Sequence, residues 1–293
     1  MTELAEQLLY QSSTAPNGTI IDYWPGPQPK RHYRVNGNTA ASVTQVLDVL
    51  DKQALKLWYQ RGGTEGTLRL IRMGELGRLN GEPVLAGTDG WPVATEPAVT
   101  ELLKKHALLP QNVMEKAGER GTAVHNALEL WISDEILPDP DMYPDDQRGY
   151  VAGLLSFLTD LRVADHSAIE SEVMVGSAKH GFAGRFDMRL TLNACSLRST
   201  PKRDNYREFP SRTRWLLDLK TSKSIYQSHY WQLEAYEGAS VECGYQKTRG
   251  RAVVRVTEDG SYEVKVSAAK YSDFLAIKRA YDVVNPQKEK QNG

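Results

Sequence analysis

Asp218 and Lys220 close the apolar stretch WLLDLK, residues 215–220. Side chains two apart in a strand point the same way, so this acid and this ammonium share a face. Asp187 lies in a second alternating stretch, GFAGRFDMRLTL, residues 181–192. Alternation there puts Phe186, Met188, Leu190 and Leu192 on one face and Asp187, Arg189 and Thr191 on the other. If the two strands pair, two carboxylates and one ammonium meet at one edge of a sheet. Carboxylates at close range repel, and burial raises the cost. A divalent cation resolves the conflict: Mg2+ takes hard oxygen ligands, commonly one or two carboxylates, waters and a substrate phosphate. It also acts as a Lewis acid at phosphorus and acidifies water. Lys220 would stand beside it, to orient or help deprotonate the attacking water or to neutralise charge on the phosphate.

Such residues need elements to hold them. ASVTQVLDVLDKQALKLWYQRG (41–62) has Val43, Val46, Leu47 and Leu50 at helical spacing, with Ser42 as N-cap. A short helix is expected over 96–108, a stronger one over 111–132, and another over 145–163 with Tyr150, Leu154, Leu158 and Leu161 on one face. The period then changes to that of strands over 168–177, 181–192 and 213–220. A helix follows over 226–241, then two strands around an Asp-Gly turn over 251–266. A closing helix, capped by Ser267, runs to 284, and the tail 285–293 is expected to fray. Residues 1–40 read as an irregular lead-in with one hairpin, and 62–98 give no assignment. This order predicts an α/β fold, a mixed central sheet flanked by helices. The expected organisation is an N-terminal helical region, 1–110, within the same unit as a core over 111–284.

Composition narrows the setting. The 293 residues are 40% apolar and 25% charged, as in an ordinary globular protein. No apolar run reaches the roughly 18 residues of a membrane span, and MTELAEQLLYQSS lacks the basic start of a secretory signal. Two cysteines, Cys195 and Cys243, are too few for a disulfide framework or a four-cysteine metal site. The expectation is a cytoplasmic protein with no membrane partner. With a net charge of −1, any nucleic-acid face has to come from local basic clustering.

GRFD followed by LLDLKTSK resembles the core of the PD-(D/E)XK nuclease superfamily, whose core is restriction-endonuclease-like. The remainder resembles its RecB-like branch. RGTAVHNALE is similar to that branch's helical histidine motif, which implies His125 as a metal ligand. ESEVMVGSAKHGFAGRFD resembles its glutamate-strand-glycine-aspartate segment, which implies Glu172 and Asp187; Glu170 has the same face parity, and the family spacing selects Glu172. QLEAY resembles the Gln-x-x-x-Tyr motif at Gln232 and Tyr236, residues one helical turn apart that would support the site and the DNA. YRVNGNTAASVTQVLDVLDKQALKLW is similar to the lead-in of phage and prophage exonucleases. The likeness spans most of 34–266, and four motifs in order carry more weight than any one alone.

The resemblance implies a metal-dependent exonuclease. It would act on single- or double-stranded ends of linear DNA in recombination, repair or replication. Asp187, Asp218, His125 and the Leu219 carbonyl would hold Mg2+ or Mn2+, with Lys220 and Glu172 completing the site. Arg120 and Lys223 are candidate phosphate contacts, set against the plainer reading of solvated surface charge. A helicase or a single-strand annealing recombinase is the implied partner, in a bacterial host cell if phage-encoded. The chain departs from the iron–sulfur members, which carry four cysteines, so no cluster is expected. It also inserts a basic loop, 194–214, between the two acidic strands, with a suggested contact to DNA phosphates. Two rival readings are an endonuclease of the same superfamily and a non-catalytic DNA-binding subunit.

Overall fold

The computed structural model describes residues 10–26, 32–50, 53–79, 82–85, 94–201 and 205–286. Contacts divide the chain into two compact units, one of residues 1–50 with 120–293 and the other of residues 51–119. The division therefore falls at 51 and 120, whereas the sequence placed a boundary near 110 and kept residues 1–110 with the core.

The first unit is built on a mixed nine-stranded sheet. Four N-terminal strands, β1 (Gln11–Thr14), β2 (Ile20–Trp24), β3 (His32–Val35) and β4 (Asn38–Ser42), form an antiparallel meander. Next come β7 (Glu170–Ser177), β8 (Phe182–Leu192), β11 (Thr213–Lys220), β12 (Gly250–Val256) and β13 (Tyr262–Val266). The order is β1-β2-β3-β4-β8-β11-β12-β13, with β7 along the other edge of β8. Since β7 occupies one edge of β8, β4 and β11 share the opposite one. There β4 pairs in parallel with Phe182 and Ala183, and β11 pairs antiparallel from Met188 onward. Residues 184–187 lie between the two ladders, so the sheet opens where Asp187 sits.

Two apolar cores clamp this sheet. On one face, α4 (Pro110–Asp134) contributes Val124, Ala127, Leu128 and Trp131 at helical spacing. Alongside it, α5 (Asp145–Asp160) contributes Val151, Leu154, Phe157 and Leu158; both pack on Leu217, Leu219 and Val254. On the other face, α1 (Val43–Leu47), α6 (Gln227–Glu242) and α7 (Tyr271–Val284) bury Val43, Val46, Leu233, Ala235, Tyr236 and Phe274 against Leu216 and Val253. Full burial of each such aliphatic or aromatic side chain contributes about 2 kcal/mol. The α/β class expected from the element order is the one observed. Ser42 caps α1, its hydroxyl accepting from Gln45 N–H while the Gln45 carboxamide accepts from Ser42 N–H.

Several local expectations are corrected. The irregular lead-in is four paired strands, each short enough to need its neighbours for stability. Phe186 packs in the core with α6 and α7, whereas Met188, Leu190 and Leu192 pack in the core with α4 and α5. The face changes beside Glu172, which takes a left-handed φ of 50°, and the register passes from Ser171↔Met188 to Val173↔Phe186 around it. Arg189 is buried rather than outward. Ser267 does not cap α7; its hydroxyl donates to Glu234, and Asp273 instead accepts from Lys270 N–H. The basic insertion is a hairpin, β9 (Cys195–Arg198) with β10 (Tyr206–Phe209), whose Cys195, Leu197 and Phe209 enter the core. The tail expected to fray, 285–293, lies outside the described residues but for 285 and 286.

The second unit holds α2 (Gln53–Arg72), the hairpin β5 (Leu76–Leu79) and β6 (Glu82–Leu85), α3 (Glu96–Lys105) and the first turns of α4. Leu70, Leu76 and Leu103 form its small core. The single helix expected from 42 is broken into α1 and α2. Among the described residues, no helix is long and apolar enough to cross a membrane.

Candidate metal centre

Three elements of the first unit bring ligand-type atoms together. His125 on α4, Glu172 on β7 and Asp187 on β8 each offer a nitrogen or oxygen, and these atoms lie within 4.8 Å of one another. The local sequence explains the placement. Val124, Ala127 and Leu128 seat α4 on the sheet, which leaves His125 at the flank of that apolar stripe. Its Nδ1 is 3.7 Å from Asp187 Oδ1. Glu172 stands opposite Asp187 at the kink where β7 and β8 change face.

Asp187 spans the opening in the sheet. Its Oδ2 accepts a hydrogen bond from Leu219 N–H at 2.7 Å. Pairing of β8 with β11 stops at Met188↔Leu217, so this carboxylate takes the place of the next backbone partner. A strand residue directs its N–H and C=O to the same neighbour, which puts the Leu219 carbonyl on the edge facing Asp187.

Asp218 and Lys220 lie on the next strand with their side chains together, Nζ 2.6 Å from Oδ2. Asp218 is fully buried, and its Oδ1 has no hydrogen-bond partner among the described residues. Burial pushes its carboxyl up from 3.8 to about 6, with Lys220 opposing and Asp187 adding to the rise. Burial alone would lower Lys220, but Asp218 and Asp187 outweigh it, so the ammonium is held more firmly protonated than usual. Glu172 is raised by burial and then by Asp187, against Arg185 and His125. These carboxylates crowd one another in a desolvated place, the condition that favours a dication.

Helix α6 supplies the buried floor. Gln232 Nε2 donates to Tyr236 Oη at 2.8 Å. Tyr236 is 4% exposed, and burial, then the nearby Asp218, raises its phenol. A methyl group on Gly184 would lie 2.5 Å from the Tyr236 ring, so that glycine makes room for the tyrosine.

The expected site is thus gathered in part. His125, Glu172 and Asp187 form one group, while Asp218 is turned to Lys220 and stands outside it. Of the two glutamates, Glu172 lies in this group, while Glu170 is bound by Arg189 through both oxygens, at 2.6 and 2.8 Å, and by Arg214 at 2.6 Å. Arg120 stacks on Tyr150, 5.2 Å from the ring centre, and Lys223 is exposed. Sequence reasoning names no partner for His229 and does not single out Arg185. His229 lies one turn before Gln232 on α6, where burial and Lys220 lower its pKa to about 4. Arg185 forms an ion pair with Glu172; its position two residues before Asp187 on one strand was the available signal.

No protein-family model and no curated protein matches the chain. A solved structure described as the crystal structure of SSO0001 aligns at 17% identity and a TM-score of 0.29. The alignment covers 66% of this chain and 69% of that one. A likeness that distant carries no argument about function.

Proposed function

We propose that this protein is a divalent-cation-dependent deoxyribonuclease acting on the ends of linear DNA. One observation carries the reading. An imidazole and two carboxylates within 4.8 Å meet at a gap in the sheet, and a buried Asp–Lys pair lies on the adjoining strand. The donor set, one nitrogen and hard oxygens, suits Mg2+ and, with the imidazole, Mn2+. His125, Glu172 and Asp187 would hold the ion, with the Leu219 carbonyl on the same edge. Bound there, it would supply Lewis-acid polarisation of the phosphodiester.

The chain's own groups do the rest. Asp218 fixes the Lys220 ammonium from beneath, and its partnership keeps that group charged. Lys220 then serves as a hydrogen-bond donor that neutralises negative charge on phosphate oxygens as the phosphorus–oxygen bonds rearrange. Leu219 N–H orients Asp187, and the Gln232–Tyr236 pair closes the buried side against water. Preference for ends, and a role in recombination, repair or replication, come from the resemblance to phage and prophage exonucleases. So do a helicase or annealing-recombinase partner and a bacterial cytoplasmic setting.

The test uses end-labelled linear duplex, linear single strand and a nick-free circle, each with Mg2+, Mn2+ or EDTA. Wild type is compared with Lys220→Ala. Cation-dependent loss of linear DNA, with circles spared and the variant inactive, is the expected result. Cutting of circles would reassign the activity as endonucleolytic. No cleavage of any substrate, with DNA binding kept, would make the protein a binding subunit.

A further inference from the structure

Arg185 is set between the metal centre and the N-terminal meander. It lies on β8, two residues before Asp187. Its Nη1 is 3.4 Å from Glu172 Oε2, and its Nη2 donates to Gln11 Oε1 on β1. The guanidinium carbon stands 5.1 Å from the centre of the Tyr23 ring on β2. Its Nε is buried with no hydrogen-bond partner among the described residues. A quarter of the side chain remains exposed, so the group is held in place yet reachable.

The charges make this placement informative. Glu172 and Asp187 are two carboxylates at close range, and the Arg185 guanidinium is ion-paired with one of them. A dication at His125, Glu172 and Asp187 would balance both carboxylates alone. The guanidinium then becomes surplus positive charge beside the ion, braced by the Tyr23 ring and with its Nη1 freed from Glu172. A planar fork of donors fits two oxygens of a phosphate group.

We propose that Arg185 is a phosphate-binding residue that the cation releases: it neutralises Glu172 in the metal-free protein and takes a phosphate of the DNA backbone once the ion occupies the centre. The identity of the ligand rests on the nuclease reading. Cation and DNA then bind cooperatively through one side chain, and each must strengthen the other by the same factor. The first strands acquire a role as well, since Gln11 and Tyr23 hold the guanidinium where both partners reach it.

The experiment measures binding rather than cleavage. Wild type, Arg185→Gln and Arg185→Lys are titrated against a fluorescein-labelled single-stranded oligonucleotide and a labelled linear duplex, in EDTA and in Ca2+. Ca2+ affinity is measured separately by calorimetry. For wild type, Ca2+ should tighten binding of one or both DNAs about tenfold. In Arg185→Gln, Ca2+ affinity should be kept or improved, because a competing cation is gone, while the gain in DNA affinity falls below about threefold. Arg185→Lys, which keeps the charge but not the fork, should fall between and serves if the glutamine variant unfolds. A full gain in a folded Arg185→Gln would overturn the proposal. So would Ca2+ binding to wild type with no change in DNA affinity, which leaves the metal centre standing. Absence of any Ca2+ binding would overturn both this proposal and the metal centre.

Discussion

Replacing Lys220 by methionine takes away the ammonium 2.6 Å from Asp218 Oδ2. Asp218 titrates at about 6 even with that ammonium present, against an ordinary 3.8. Without Lys220, burial is opposed by less, and the folded-state pKa moves higher. The folded chain then holds a proton that the unfolded chain has released. Wherever the pH lies between the unfolded and folded values, stability falls as pH rises, by about 1.4 kcal/mol per pH unit. In wild type that loss is complete near pH 6; in Lys220→Met it continues upward. The variant should lie within about 1 kcal/mol of wild type at pH 5. It should then drop behind by about 1.4 kcal/mol per unit above pH 6, toward the roughly 3–5 kcal/mol expected of an uncompensated buried charge. Urea unfolding in EDTA at pH 5, 6, 7 and 8, followed by the fluorescence of the six tryptophans, reads this directly. Adding Asp218→Asn should flatten the dependence. A gap that does not vary with pH, or a variant as stable as wild type at pH 8, would refute the electrostatic account of the pair.

Three further outcomes are expected. Gly184→Ala forces a methyl against Tyr236 and should cost about 1–3 kcal/mol in urea melts, with the proposed cation-dependent DNA cleavage falling as the tyrosine is displaced. His229 has its pKa lowered from 6.5 to about 4, so the unfolded chain binds the extra proton between those values; this group alone costs up to about 3 kcal/mol as pH falls from 6.5 to 4, against the gain from Asp218, and the stability of His229→Gln relative to wild type should rise by that amount over the same urea series. Glu170→Gln strands Arg189, which is fully buried, and should destabilise by about 3 kcal/mol. Glu172→Gln should instead leave the melting midpoint within a few degrees while abolishing Ca2+ binding in calorimetry, a contrast that separates the two glutamates.

The residues that bear chemistry were legible where the chain alternates or repeats strongly. WLLDLK and GFAGRFDMRLTL are strands because their apolar positions recur, and Asp218 meets Lys220 because two residues of a strand share a face. The helix that carries His125 was expected over 111–132 and runs over Pro110–Asp134. Only one hairpin of the meander was legible, because QSST and HYRV are short and polar; pairing with β8 and with one another supplies what their composition lacks. The face of Phe186 was misread because the left-handed backbone of Glu172 leaves no mark in an alternating pattern. Arg185 was passed over because its partners, Gln11, Tyr23 and Glu172, are far away in sequence or on another strand.

The pairing of β4 with β8 joins Ala41 to Phe182 in parallel, across most of the distance from the meander to the core. Such a contact is costly in loop closure and forms late in folding. During synthesis the meander has to wait, with one edge open, until β8 has been made, and β8 in turn lacks its other partner until β11 follows. Lys220 ends β11, so the candidate metal ligands and the lysine are joined only after three quarters of the chain exists. A nascent chain shorter than that holds the candidate site in pieces, and the site takes shape only as the sheet closes.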